Sequence, residues 1–341
     1  MRVLIIKPSS FGDIVQALAS ADALKRSFEN VRIDWVVFDM WQDIAQMCSD
    51  IDDVIVWKRA GGLREFLRIV RCLRKTKYDY IFDLQGLLRS AFLAKFAKAR
   101  QKIGISGMKE MSGLLIKEVL PQNAKINATL RNLETIRFIT RQTFPPKANI
   151  KIPQSIQNQA AEILHSANVG TKFIAFQPFA RGKNKDWAIA NYISLAALIK
   201  KAAPDFQIVV LGSKKDEGKF ASAGKDESKF APAGRDESKF APAGIIDLCG
   251  KTTLPQLAAV LRQSSGAVGA DTGSMHLAAV LDVPSVFIFG SSDIIETSPY
   301  IGKFAIALNA ADQKDINGIE PSTVFAQIQA LLRAFHPNDS D

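Results

Sequence analysis

Short apolar runs alternate with longer stretches of helical spacing along most of this chain. Residues 3–6 read Val-Leu-Ile-Ile and close on Lys7. A continuous apolar run of that length, bounded by turn residues, predicts a buried strand over 3–7. Ser9-Ser10-Phe11-Gly12-Asp13 follows as a turn, and residues 14–28 carry apolar side chains at helical spacing. Residues 32–38 and 54–57 predict a second and a third strand. Residues 63–75 predict a helix with a basic face formed by Arg64, Arg68, Arg71, Arg74 and Lys75. A strand over 78–83, the turn Leu84-Gln85-Gly86 and a helix to about residue 99 continue the series. Strands and helices in this alternation predict a mainly parallel sheet covered on both faces.

The second half repeats the scheme. A helix over 128–143 is followed by Phe144-Pro145-Pro146-Lys147, where paired prolines favour extended chain and predict a linker. Strands are then predicted at 173–176, 206–211, 245–248, 266–269 and 285–289. Helices are predicted at 188–202, 254–261, 274–281 and 322–335. The expectation is two doubly wound α/β domains, which suits 341 residues at roughly 100–200 per domain. Composition agrees: the chain is 47% hydrophobic and 23% charged, with a mean hydropathy of +0.03.

One segment breaks the alternation. Residues 215–224, 225–234 and 235–244 read KDEGKFASAG, KDESKFAPAG and RDESKFAPAG, a tandem decapeptide in three copies. Each copy has one large apolar residue (Phe220, Phe230, Phe240) and is interrupted by Gly or Pro. Such a unit buries too little surface to offset its ordering entropy, so it reads as a tolerated surface-loop insertion. A partner-docking arm is the alternative.

Charge divides the halves. The formal net charge is +10; residues 1–150 hold 25 basic and 15 acidic side chains, and residues 151–341 hold 19 of each. A basic half beside a neutral half points to an acidic partner for the first domain: nucleic acid, an anionic membrane surface or an acidic substrate. Cys48, Cys72 and Cys249 have neither CxxC nor zinc-type spacing, which fits a reducing compartment. The run before Lys7 is too short for the apolar region of a signal peptide, and no run approaches the roughly 18 apolar residues of a membrane span. A cytoplasmic protein with at most peripheral membrane contact is expected.

Three clusters carry candidate chemistry. Asp13 follows the first strand near a helix start; a carboxylate there either accepts a proton from a substrate hydroxyl or simply stabilises the helix. Gly269-Ala270-Asp271-Thr272-Gly273-Ser274-Met275-His276 joins a strand to a helix. Its small residues would let phosphate approach the helix amides, or Asp271 or Thr272 serves as an ordinary N-cap. Arg181-Gly182-Lys183-Asn184-Lys185-Asp186-Trp187 is either a diphosphate-neutralising loop or a solvated one. Two other patterns are rejected. Residues 212–219 resemble a P-loop, but five residues separate the glycines and Phe220 stands where Ser or Thr must hold magnesium. Asp50-Ile51-Asp52 matches a DxD triplet but reads as an acidic loop before a strand. With three unclustered histidines, His165, His276 and His336, no metal site is expected.

Together these residues resemble glycosyltransferase family 9, and within it the ADP-heptose–lipopolysaccharide heptosyltransferase I group. The resemblance rests on Lys7-Pro8-Ser9-Ser10-Phe11-Gly12-Asp13, Asp34-Trp35-Val36-Val37, Asp83-Leu84-Gln85-Gly86-Leu87, Lys185-Asp186-Trp187 and Asp271-Thr272-Gly273-Ser274-Met275-His276. It implies a GT-B fold, two Rossmann-like domains facing across a cleft. Residues 1–147 would form the acceptor domain and 148–321 the nucleotide-sugar domain, with 215–244 inserted in the latter. The terminal segment 322–341 would form a helix packing back on the first domain.

By the same resemblance Asp13 is the general base and Lys185 contacts the donor diphosphate. Asp216, Thr252, Asp271, Thr272, Gly273 and His276 bind the donor. Ser10 and Gln85 serve the acceptor, and the basic helix adds Arg64, Arg68 and Arg71 to it, with Lys95, Lys98, Arg100 and Lys102 extending the basic surface. Pro178-Phe179-Ala180 departs from the family, which often has small hydroxyl residues there.

The implied reaction is inverting, metal-independent transfer of heptose from ADP-heptose to the Kdo-lipid A inner core, with no cofactor, at the cytoplasmic face of the inner membrane. Another family transferase with a different nucleotide sugar is the main alternative. A nucleic-acid-binding protein is suggested only by the pI of 9.4; no recognisable nucleic-acid module supports it.

Overall fold

A computed structural model describes residues 1–341 except 117, 120–124, 181–185, 221, 223–244, 291, 311–314 and 336–341. The chain divides into two units, Met1–Lys151 and Ile152–Asp341.

The first unit runs β1 (Arg2–Ile6), α1 (Phe11–Ala17), α2 (Ala19–Ser27), β2 (Arg32–Phe38), α3 (Gln42–Met47), β3 (Asp53–Trp57) and α4 (Gly62–Leu73). It continues with β4 (Lys77–Asp83), α5 (Leu88–Phe96), β5 (Lys98–Gly104), β6 (Glu118–Val119) and α6 (Ala128–Thr140). The six strands are parallel in the order β3-β2-β1-β4-β5-β6. Ile5 lies between Trp35 and Phe82 in register. The chain leaves β1 toward one edge and β4 toward the other, so a crevice opens at the carboxyl ends of these two central strands, where ligands bind in open α/β sheets.

Local chemistry explains the elements. β1 is apolar throughout its centre because both faces are covered, and β2 nearly so, its one buried acid, Asp34, accepting from Arg2 and the Tyr78 hydroxyl. On α4 the buried residues Glu65, Ile69, Val70 and Leu73 fall at helical spacing, leaving Leu63, Arg64, Leu67, Arg68 and Arg71 outward. The helix predicted over 14–28 starts earlier, at Phe11, and divides at Leu18, whose N–H is shared by the Ile14 and Val15 carbonyls. β5 was not predicted: Lys-Ala-Arg-Gln-Lys-Ile-Gly has no apolar run, and the parallel ladder with β4 builds it regardless.

After α6 ends at left-handed Arg141, the expected linker stays on the first unit. The Arg26 guanidinium stacks over Phe144 at 4.7 Å and donates to the Pro145 carbonyl at 3.0 Å. Ser49 N–H donates to the Asn149 carbonyl and Lys151 N–H to that of Met47. The boundary therefore falls after Lys151 rather than after 147.

The second unit runs α7 (Gln154–Ser166), β7 (Phe173–Gln177), α8 (Ile189–Ala202), β8 (Gln207–Val210), β9 (Ile245–Asp247), α9 (Leu254–Gln263) and β10 (Gly266–Ala270). It closes with α10 (Gly273–Val280), β11 (Ser285–Phe289), α11 (Ile294–Thr297), β12 (Ala305–Asn309) and α12 (Pro321–Phe335). Its parallel order, β12-β11-β10-β7-β8-β9, repeats the winding of the first unit, with the switch between β7 and β10. Ile174, Phe176, Trp187, Tyr192, Val268 and Ile288 form its core with Val324, Ile328 and Leu331 of α12. Gly266 is closely packed: a Cβ there would crowd Ile328 at 3.0 Å and the Pro284 carbonyl at 3.2 Å. The terminal helix was expected on the first domain; as far as Phe335 its apolar face instead completes the second unit's own core.

Candidate functional site

At the first switch point, Ser10 caps α1 and Asp13 is its third helical residue. Ser10 donates to Asp13 Oδ2 twice, from its N–H at 2.9 Å and from Oγ at 2.5 Å. The helix-start role expected for a first-turn acid is thus met. The half-buried carboxylate also stands where a substrate of this edge would bind. The two roles coexist, and Ser213 makes the same pair of bonds to Asp216 Oδ2 in the second unit, so this geometry alone does not single out a base.

Behind Asp13 lies a buried polar network for which the sequence assigned roles only to Ser10 and Gln85. Ser9 N–H donates to Gln85 Oε1 at 3.1 Å. Gln85 is held by Asp83, whose Oδ1 accepts the N–H groups of Gln85 and Gly86 and whose Oδ2 accepts the Ser90 hydroxyl. Gly86 adopts φ +68°, and Ile105 would crowd a Cβ there. Asp83 is fully buried, and burial pushes its carboxyl up to about 6 against those hydrogen bonds and the nearby Lys7 charge. Lys7 is buried too and donates from Nζ to the Leu84 carbonyl at 2.9 Å. Burial lowers its pKa and the Arg131 charge adds to that, while Asp13 and Asp83 oppose it. Lys7 and Asp83 sit inside the quoted motifs; an ionisable residue closing an otherwise apolar strand was the available signal.

Beside this network an open groove of about 690 Å³ is lined by Asp39, Met40, Gln42, Arg59 and Ala60. Phe11 stacks on Trp41 near its mouth, with centroids 5.3 Å apart. The basic residues expected to serve an acceptor separate into groups. Arg68 grips Glu65 through two nitrogens at 2.6–2.8 Å and donates to the Val56 carbonyl, bracing α4 on β3. That pair holds the Glu65 carboxyl down at about 2. Arg64 and Arg71 are exposed, and among the described residues neither has an ion-pair partner. Lys95 lies in the last turn of α5 and Lys98 opens β5 in register with Lys77, which places both at the sheet edge where α4 ends, opposite Asp13.

At the second switch point Thr272 caps α10, accepting from Met275 N–H at 3.3 Å. Its Oγ1 lies 3.0 Å from Ser274 Oγ, which donates to Gln177 Oε1 at the end of β7. His276 is buried one turn into α10, with Nε2 3.2 Å from Asp271 Oδ1 and its ring 5.3 Å from that of Phe287. The strand must be glycine at 269, since a Cβ would come within 2.6 Å of Gln177. Asp271, Thr272, Gly273 and His276 are therefore brought together around one helix N-terminus, a suitable anion-binding arrangement.

Asp216 follows β8 and is more committed than expected. Oδ2 serves Ser213 and Oδ1 accepts Lys219 Nζ at 2.7 Å. Despite partial burial, the Lys219 and Ser213 hydrogen bonds hold its pKa below the ordinary range. Thr252 is half-buried in the turn after β9. Lys185 lies outside the described residues, as does most of the decapeptide repeat. Of the described residues on either side, Asp186 Oδ1 accepts Ala180 N–H at 2.6 Å, and buried Trp187 donates to the Ile319 carbonyl at 3.0 Å.

The rejected acidic triplet is structural. Asp52 accepts from Ile33 N–H and Lys25 Nζ, and Asp50 from Asn149 Nδ2. Among the described residues no group of three His, Cys, Asp or Glu is placed to hold a metal ion. No described helix is long and apolar enough to cross a membrane.

Comparison with known proteins agrees with this architecture. An E. coli ADP-heptose lipopolysaccharide heptosyltransferase II structure superposes with a TM-score of 0.77 at 20% identity, covering 98% of this chain and all of that one. A family 9 glycosyltransferase from Veillonella parvula gives 0.82 at 18%, covering 98% and 97%. Two doubly wound parallel-sheet units with these neighbours define a GT-B fold. Residues 66–320 match glycosyltransferase family 9 (heptosyltransferase), and the chain belongs to that family. It is 26% identical to lipopolysaccharide heptosyltransferase 1 of Salmonella typhimurium over 340 residues, 96% of this chain and all of that protein. It is also 26% identical to the Pseudomonas aeruginosa protein of the same name, over 88% and 81%.

Proposed function

We propose that this enzyme transfers heptose from ADP-heptose to the Kdo-lipid A inner core of lipopolysaccharide, with inversion and without a metal. It would work as a cytoplasmic protein at the face of the inner membrane. The observation that carries this reading is the pair of switch points. One presents a carboxylate, Asp13; the other presents a helix N-terminus framed by Asp271, Thr272, Gly273 and His276. An E. coli heptosyltransferase of this fold, WaaC, has been solved with ADP, which supports a nucleotide-sugar donor.

In the proposed reaction an acceptor hydroxyl oxygen attacks the anomeric carbon from the face opposite ADP. Its proton passes to Asp13 as the new C–O bond forms. The bond to the diphosphate breaks, and that oxygen keeps the electron pair. The α10 amides and Lys185 stabilise the charge gathering there, the contribution a metal makes in other transferases. The +10 charge of the first half would favour an acceptor bearing carboxylates and phosphates.

The test is a panel of ADP-, UDP- and GDP-sugars with Kdo₂-lipid A, read by nucleotide release with and without chelator. Release confined to ADP-heptose and indifferent to chelator is expected. Preference for another donor would favour the other-sugar alternative, and release abolished by chelator would remove the metal-independent mechanism.

A further inference from the structure

The exposed apolar side chains of this molecule are not evenly spread. Leu114, Met111 and Leu63 are the most exposed large apolar residues among those described, at 85%, 79% and 73%. Each follows the carboxyl end of a strand in the first unit: Leu63 after β3, and Met111 and Leu114 after β5. In an all-parallel sheet those ends share one edge, the edge that carries Asp13. Met40, after β2, and Leu88, after β4, are exposed there as well.

Hydrogen bonds and ring contacts join these turns into one surface. The guanidinium groups of Arg59 and Arg89 both lie over the Phe38 ring, at 5.9 and 5.5 Å, linking the turn before α4 to the first turn of α5. Leu88 N–H donates to the Glu110 carboxylate at 2.9 Å, linking α5 to the 110–114 turn. Lys109 N–H donates to the Gly86 carbonyl. Cations therefore interleave the apolar tips, with Arg64 beside Leu63. Of the acids on this edge, Asp39 is engaged by Arg59 N–H and Glu110 by Leu88 N–H.

We propose that this edge is an interfacial membrane-binding surface: Leu63, Met111 and Leu114 enter the headgroup region of an anionic bilayer while the interleaved cations meet its phosphates. Protruding apolar tips on separate turns, with Arg59, Arg64, Arg89 and Lys109 on the same turns, fit a fluid amphipathic surface. A protein partner would instead call for a packed apolar centre with a polar rim. The proposal rests on the glycolipid-acceptor reading and extends it. The enzyme would reach its acceptor without lifting it from the bilayer, because the surface borders Asp13.

The test uses the full chain and vesicles of phosphatidylethanolamine with phosphatidylglycerol, against phosphatidylcholine alone. Binding to the anionic vesicles, weakened by salt, is expected. L63S/L114S should bind at least ~10-fold more weakly, since each buried leucine contributes on the order of one decade of partitioning. Both positions are exposed, so the fold should tolerate the change, and M111N provides an independent variant that suits a left-handed backbone. Transfer to a deacylated, water-soluble acceptor should be unchanged in the variants while transfer to vesicle-embedded acceptor falls. Absence of wild-type binding, or equal binding by the variants, overturns the proposal. So does a wild-type dimer that L63S/L114S dissociates, which would assign the surface to a second copy. Vesicle binding without transfer to either acceptor would leave the surface standing and remove the functional reading.

Discussion

Asp13 has two roles that a pair of substitutions separates. Its Oδ2 accepts two hydrogen bonds from Ser10 at the start of α1, one of them only 2.5 Å long. Asp13→Asn keeps a carbonyl oxygen for those bonds and removes the basic carboxylate. Asp13→Ala removes both. A lost hydrogen bond contributes about 0.5–1.5 kcal/mol, and a first-turn charge about 0.3–1 kcal/mol. Asp13→Ala should therefore lower unfolding stability by about 1–2 kcal/mol and Asp13→Asn by about half that or less. Loss of general-base catalysis is worth roughly 10²–10⁴-fold in rate, or about 3–5 kcal/mol of barrier. The two variants should then share a similar fall in kcat while differing in stability, with ADP affinity unchanged in both. The assays are urea unfolding, ADP titration and initial-rate kinetics with ADP-heptose. If Asp13→Asn kept a kcat within a few-fold of wild type, the carboxylate would be a helix cap and nothing more. Parallel loss of ADP affinity would also sink the role.

Other outcomes follow from the same structure. Asp83 has its folded pKa raised to about 6 from an ordinary 3.8, so between those values the native state binds more protons than the unfolded chain. Its contribution favours folding below about pH 4 and is lost by roughly 3 kcal/mol as pH rises through 6; the stability of wild type relative to Asp83→Asn, measured by urea unfolding across that window, should fall accordingly. Gly269→Ala drives a Cβ onto Gln177 and should cost about 1–3 kcal/mol, with weakened ADP binding, by thermal unfolding and titration. Arg64→Glu with Arg71→Glu should raise acceptor KM and leave donor KM alone; an unchanged acceptor KM would remove charge steering. Cys48 is buried with its thiol pushed up to about 12, and burial raises the Cys249 thiol as well. Alkylation of the native protein followed by peptide mass analysis should therefore label Cys72 well before either.

The doubly wound pattern was legible in the central strands, because a strand covered on both faces is mostly apolar. Arg32–Phe38 and Ser285–Phe289 were placed at their observed bounds for that reason. Some strands were missed: polar β5 takes its form from a neighbouring ladder, and β12 is a short, partly buried strand at the sheet margin, which local composition does not report. The site was legible to the level of its turns. Ser10, Asp13, Gln85 and the Asp271–His276 cluster do gather at the two switch points. Charge alone did not report that Arg68 is paired with Glu65 or that Lys95 and Lys98 lie at the sheet edge away from Asp13, facts that depend on packing and strand order rather than residue type. The buried pair Lys7 and Asp83 escaped notice because most of its partners are backbone groups that folding brings within reach.

The central claim is that a carboxylate on a basic acceptor unit and an anion-binding turn on a neutral unit together move a heptose. Incubation of the purified protein with ADP-heptose and Kdo₂-lipid A, followed by mass spectrometry of the lipid, tests it most directly. A gain of one heptose per acceptor, matched by ADP released, is the predicted result. An unmodified lipid in the presence of folded, ADP-binding protein would contradict it.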